Sequence, residues 1–170
     1  MSDAEREAYD MALQMAFPCN PGRQAAMTES ESLIERAAGP LSGTAALLRT
    51  AEGTFLVLEG YDENQAGHCM VLAWFGGELS PGRYPIRRLS MAAMEEEVDS
   101  GEHSFFVFSA VRSPNESATF VSGSGSLEIE SMDSGTLVGT FELTGFTINS
   151  QERQDDIALQ GSFRALITEG

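Results

Sequence analysis

The chain contains no lysine: its ten cations are all arginine, set against 26 aspartates and glutamates, and the formal net charge is −16. So acidic a surface argues against nucleic-acid phosphate or an anionic membrane as the main partner, since binding either relies on a basic patch that releases counterions. A basic partner, a bound cation or simple solubility suits it better. Long hydrophobic runs are also missing, and the longest, Met70 to Phe75, is the size of a strand, far short of the roughly 18 apolar residues that cross a bilayer as a helix. Histidine occurs only at His68 and His103, so any acid–base or metal chemistry using imidazole must employ one of them. Cysteine is equally sparse. Cys19 and Cys69 are too few and too far apart for a zinc framework. Either they form a disulfide, closing a loop of about 50 residues worth roughly 4 kcal/mol, or they are two separate thiols, Cys69 lying in an apolar run where a buried thiol is ordinary.

What is present reads as one domain with a helical attachment. A chain of 170 residues buries roughly two-thirds of its unfolded surface without help from a metal or disulfide. Ser2 and Glu5 match a capping box, and Ala8, Met11, Ala12 and Met15 recur on one face, predicting an amphipathic helix over residues 3 to 16 that Pro18 and Pro21 end. Thr28 and Glu31 form a second such box ahead of Leu33, Ile34 and Ala37, with Gly39 and Pro40 as stop signals, predicting a helix at about 29 to 38. Residues 1–40 are thus expected to form a helical arm whose apolar face rests on its own sheet or on a partner. Ser2 to Asp10 is acidic where a secretory signal would be basic and then apolar. Export would therefore need a signal outside this numbering, and without one the protein is expected in the cytoplasm.

From Leu41 the hydrophobic period changes from 3.6 to 2, and residues 41–170 read as a β-domain. Ser42 to Thr50 and Thr54 to Gly60 predict a hairpin around Ala51-Glu52-Gly53. Phe55 to Leu58, Met70 to Phe75 and Phe105 to Phe108 are continuously apolar, as strands buried on both faces are. Leu79-Ser80-Pro81-Gly82 is a turn leading into the short segment Arg83 to Leu89, and Met91 to Glu102 reads as one helical turn or a loop. Leu127, Ile129, Phe141, Leu143 and then Ile157 to Ile167 keep their apolar residues at odd positions. Between them the parity slips at Gly145, where Phe146 and Ile148 take over, which predicts a β-bulge. About eight strands with short connections make an antiparallel β-sandwich the expected architecture. A closed or partly closed barrel is the alternative, because both put every second residue inward.

Three segments carry a resemblance: Ser124-Gly125-Ser126-Leu127-Glu128-Ile129, Gly139-Thr140-Phe141 and Gly161-Ser162-Phe163, together with the turn Pro81-Gly82-Arg83-Tyr84. In these the chain resembles, over residues 41 to 168, a loose group of uncharacterised bacterial exported β-domains, many of them lipoproteins. The resemblance implies a periplasmic or cell-envelope location and supplies no agreed activity and no catalytic residues to carry over. Ala16-Phe17-Pro18-Cys19 departs from a lipidation signal, lacking a small residue before the cysteine and an apolar stretch ahead of it.

Few residues suggest chemistry. His68 and Cys69 are adjacent, but neighbours in a strand point to opposite faces, so they read as an edge histidine and a core thiol. Glu95-Glu96-Glu97 with Asp99 and Glu102 lacks the spacing and the glycine of a calcium loop and reads as a solvated acidic run. Gly123-Ser124-Gly125 precedes a strand and not a helix, so it is no phosphate cradle, and it lacks the nucleophile-elbow spacing; a bulge or close strand packing explains its glycines. Arg83, Arg87 and Arg88 beside Tyr84 concentrate positive charge and would receive a carboxylate, a phosphate or an acidic partner, unless the chain's own acids pair with them. No metal or cofactor is expected. The first reading is a non-enzymatic accessory subunit that binds another protein through Met11 and Met15 of the arm or through the arginine patch. The alternative is a carrier whose phenylalanines enclose a small apolar ligand. An enzyme would require His68 or His103 in a cleft beside a carboxylate.

Overall fold

The computed structural model describes residues 2–14, 30–37, 39–62, 66–113, 116–133, 135–149 and 152–169. Among them are helix α1 (Asp3–Gln14), strands β1 (Glu31–Glu35), β2 (Leu41–Arg49), β3 (Thr54–Tyr61), β4 (Gly67–Trp74) and β5 (Gly82–Arg87), helix α2 (Met91–Ser100), and strands β6 (Phe105–Ser113), β7 (Glu116–Asp133), β8 (Thr136–Ile148) and β9 (Arg153–Glu169). All nine strands belong to one sheet, in the order β1-β2-β3-β4-β6-β5-β7-β8-β9, and β9 pairs with both β1 and β2, so the hydrogen bonding closes on itself as a barrel. The expected two-sheet sandwich is not what the pairing makes. Nor is the sheet wholly antiparallel, since β2 runs parallel to β9 and β5 parallel to β6.

The second predicted helix, at 29 to 38, is a strand in its described part. β1 lies antiparallel between β2 and β9, pairing Ile34 with Leu41 on one side and with Gly161 on the other. In so short a segment Leu33 and Ile34 fit either period, and ladder bonds to two neighbours outweigh a local capping box. Thr28 itself lies outside the described residues. The segment from Met91 is a ten-residue helix and not a loop. It starts at Ser90, whose hydroxyl accepts from the Ala93 N–H at 3.0 Å, and ends at Gly101 in the left-handed region.

Two apolar layers result. Met70, Leu72, Trp74, Phe105, Val107 and Phe120 point into the barrel with Leu127, Ile129, Leu137, Phe141, Leu143, Leu159, Phe163 and Ala165 of β7 to β9. Val71, Ala73, Phe106 and Phe108 point outward from β4 and β6, and Ala8 and Ala12 of α1, Leu89 ahead of α2 and Ala93 within it cover them. The continuously apolar strands are therefore buried on both faces, as expected, one face being the seat of α1. Ser2 and Glu5 form the expected capping box, with reciprocal bonds of 3.0 and 3.2 Å. The Glu7 carboxylate accepts from the Met91 N–H at 2.8 Å, placing negative charge at the start of α2.

The β8–β9 register shifts between Gly145 and Thr147, where the bulge was expected, and Phe146 turns out of the barrel into the helix-covered layer. The shift on β7 at Ser122/Ser124 falls at Gly123, where the glycines suggested a bulge or close packing, whereas the one at Ile129/Ser131 carries no comparable sequence signal. The Gly-x-Phe segments also acquire a reason. Gly139 pairs with Phe163 and Gly161 with Phe141, so each ring lies over the bare glycine of the adjacent strand.

Candidate functional site

Antiparallel order brings the start of β4, the end of β6, the start of β7, the end of β8 and the start of β9 to one end of the barrel. A half-open cavity of about 1010 Å³ lies there. Val111, Leu143, Ile157 and Leu159 give it apolar walls. The bulge at Gly145 contributes to the space. By turning Phe146 outward it leaves the end of β8 to line the cavity with the smaller Thr147 and Ile148.

His68 forms part of the wall, at 3 % exposure. Its Nδ1 lies 2.9 Å from the Ser109 hydroxyl, and the Phe120 ring stands edge-on to the imidazole at a centroid distance of 6.5 Å. Burial, and secondarily the nearby Arg36 cation, push its pKa down to about 4 from 6.5. Because the folded value lies below the unfolded one, the unfolded chain takes up the proton first. Stability from this group is complete above pH 6.5 and is lost as pH falls through about 4, amounting to about 3 kcal/mol. Urea unfolding at pH 7.5 and pH 4 should show that loss, and His68→Gln should reduce it.

The rim is mostly acidic. Glu35, Glu142, Glu152 and Asp156 stand on it, against Arg36 as the one described cation. Arg36 donates to the Gly39 carbonyl at 3.1 Å and pairs with Asp62 at 3.8 Å. Asp156 has a φ of 55°, a left-handed conformation uncommon outside glycine, at the edge of the opening. The β8–β9 turn beside it is held by Asn149, whose Oδ1 accepts from the Glu152 N–H at 2.8 Å.

This hairpin is tied to α1. Arg153 pairs with Glu5 and stacks on the Phe146 ring at 4.5 Å from its centroid. The Arg153 guanidinium, followed by the Ser2 N–H, lowers the Glu5 pKa to about 2, so the tie is lost only as pH falls through that value.

Neither family models, nor curated proteins, nor solved structures give a match to this chain. Its chemistry has to be read from its own residues.

The far end of the barrel holds the other histidine. Trp74 packs against Tyr84, His103 and Phe105 at centroid distances of 5.0, 5.7 and 5.1 Å, and its indole N–H donates to the Gly77 carbonyl. Glu97, only 3 % exposed, accepts from the Ser104 hydroxyl, lies 3.3 Å from His103 Nδ1 and faces Arg87 at 3.9 Å. The Ser104 hydroxyl is buried and bonded to a carboxylate, so no imidazole stands against it as a base. His68 lies in the cavity wall and bonds Ser109, with the carboxylates at the rim, whereas His103 is hydrogen-bonded to the Glu97 carboxylate.

The sequence-predicted site residues do not converge. Arg83 is exposed and bonds Ser126, with Glu142 3.9 Å away, while Arg87 pairs with Glu96 and Glu97. Tyr84 donates its hydroxyl to the Ser80 carbonyl and packs on Trp74, and Arg88 follows β5, half-buried. Met11 packs against the outer apolar layer, and Met15 lies outside the described residues. Cys69 is disulfide-bonded, and Cys19 lies outside the described residues. Among the described residues no cluster of three potential ligands could hold a metal ion. In the acidic run Glu97 points inward and Glu96 binds Arg87.

His68, read as an edge histidine, is instead buried in the barrel wall, and its partners went unseen because Ser109 and Phe120 reach it only through strand pairing. The parity slip at Gly145 and the glycines at 123 and 125 were the available signals for a change in the barrel wall here.

Proposed function

We propose that this chain is a non-enzymatic carrier of a small molecule in the bacterial cell envelope, holding its ligand in the cavity at the His68 end of the barrel. The observation that carries this reading is the cavity itself. Its volume of about 1010 Å³ lies at the top of the range for small-molecule sites, about 300–1,000 Å³, and Val111, Leu143, Ile157 and Leu159 give it the apolar wall such sites have, beside a larger share of polar residues. The separation of the two histidines favours binding over catalysis. Partner capture through the helical arm loses its support, because Ala8, Met11 and Ala12 already pack on the chain's own sheet.

The disulfide at Cys69 supports an oxidising compartment, in keeping with the location implied by the exported β-domains the chain resembles. Reducing it with dithiothreitol should lower stability by about 4 kcal/mol, read as a fall in Tm against the untreated protein.

The carrier reading is tested with Nile red, a neutral dye whose fluorescence rises in apolar surroundings. Saturable binding of one dye per chain, abolished by Ala118→Trp at the cavity wall, is the expected result. Non-saturable binding, or binding unaffected by that substitution, would overturn it.

A further inference from the structure

We infer that the ligand of this cavity is an amphipathic organic cation, with its ammonium group at the acidic rim, its apolar body against the barrel wall, and an N–H or O–H donor at its buried end facing His68 Nε2. This rests on the carrier reading above and adds to it a chemical class.

Three observations carry the inference. The first is the charge of the rim. Glu35, Glu142, Glu152 and Asp156 line the opening, and Arg36 is already engaged by Gly39 and Asp62. Glu35 accepts from Gln160 at 2.7 Å, and Glu142 has only the exposed Arg83 at 3.9 Å, so both keep accepting capacity for a cation. An organic anion would meet repulsion at every approach to this rim, apart from Arg36.

The second is the tautomer of His68. The Ser109 hydroxyl donates to the Ala110 carbonyl at 3.4 Å, and that uses its single proton. Of the two directions open to the 2.9 Å bond between Nδ1 and Ser109 Oγ, the one with the proton on the ring nitrogen keeps both Ser109 bonds at once. This network assigns the neutral Nδ1–H tautomer. Nε2 is left as an acceptor, with no hydrogen-bond partner among the described residues, on a ring that lines the cavity. A ligand that brings an N–H or O–H to this point satisfies it, whereas an apolar end leaves it unmade.

The third is the wall between rim and histidine. Leu143, Ile157 and Leu159 are aliphatic, so the middle of the ligand is apolar. Burial keeps the imidazole neutral at ordinary pH, and its acceptor is therefore present where the carrier would work.

Four indoles of one shape test this by isothermal titration of the full chain at pH 7.5 and low salt. Tryptamine has both the ammonium and the buried-end N–H, 1-methyltryptamine lacks the N–H, tryptophol replaces the ammonium by a neutral hydroxyl, and indole-3-acetate carries an anion. Tryptamine should bind tightest. Loss of the N–H should weaken binding about tenfold, the scale of one hydrogen bond in a desolvated site. Tryptophol should bind about tenfold more weakly than tryptamine at low salt, with the gap closing as salt screens the rim. Indole-3-acetate should bind weakest.

His68→Leu should erase the difference between tryptamine and its methyl derivative, and Glu142→Gln should narrow that between tryptamine and tryptophol. Should His68→Leu fail to fold, the methylation comparison on the unaltered protein reads the same contact. Equal affinity for tryptamine and indole-3-acetate, no effect of methylation, or no indole binding where Nile red still binds would each overturn the inference and leave the carrier reading standing. Failure of Nile red as well would overturn both.

Discussion

Gly161→Val is expected to destabilise the fold by on the order of 4 kcal/mol and to lower Tm by roughly 10 °C. At this position β1 runs against β9, with Ile34 paired to Gly161. A Cβ at residue 161 would stand 1.9 Å from the Leu33 carbonyl oxygen and 3.0 Å from the Phe141 ring. Ordinary overpacking costs about 1–3 kcal/mol because side chains find another rotamer. Here the obstacle is backbone, and β1 has to leave its place. Ile34, fully buried in the barrel, would lose its packing with it. Because β2 also pairs directly with β9 further along, the damage should be local: amides of β1 should exchange fast while those of β7 and β8 stay protected. Ser162→Val, one residue on and exposed, is the control and should change stability by less than about 0.5 kcal/mol. Equal melting of the two variants would show that the close approach does not hold β1.

Period 2 made most of the barrel legible before its shape was known. Leu127, Ile129, Phe141, Leu143 and the odd residues from Ile157 to Ile167 point inward as their alternation requires, and the bulge sits at the Gly145 slip. Closure was not legible, because it depends on β9 meeting β2 and β1 across more than a hundred residues, and no local pattern encodes that meeting. The strand at Glu31–Glu35 was obscured by a capping-box sequence at its start. For Arg87, the partner Glu97 was hidden in a segment whose helix start, Ser90, had gone unread.

The candidate site shows the same division. His68 stood out by rarity, and its opposition in facing to Cys69 followed from strand geometry alone. Its environment came from tertiary pairing: β4 beside β6 brings Ser109, and β6 beside β7 brings Phe120. A parity slip marks where a strand bends. The space that opens when Phe146 turns outward becomes apparent only once the neighbouring strands are in place.

Phe120→Ala is the second large effect, with an expected loss of about 3–5 kcal/mol. Phe120 is fully buried in the barrel, edge-on to His68, and its Cζ would lie 2.8 Å from a Cβ at Gly145. Truncation removes a large side chain from a place that the backbone of the bulge prevents from collapsing, so the void joins the cavity. Water then reaches the imidazole. Since burial is the main reason that the His68 pKa lies at about 4, the value should move up toward 6.5 in the variant. Stability would therefore fall at neutral pH while its acid sensitivity between pH 6.5 and 4 shrank, the reverse of a uniform weakening. Urea unfolding across that range, with NMR titration of the His68 ring, measures both. A variant that loses stability equally at all pH values, with the ring still titrating near 4, would show that Phe120 packs the barrel without shielding the histidine.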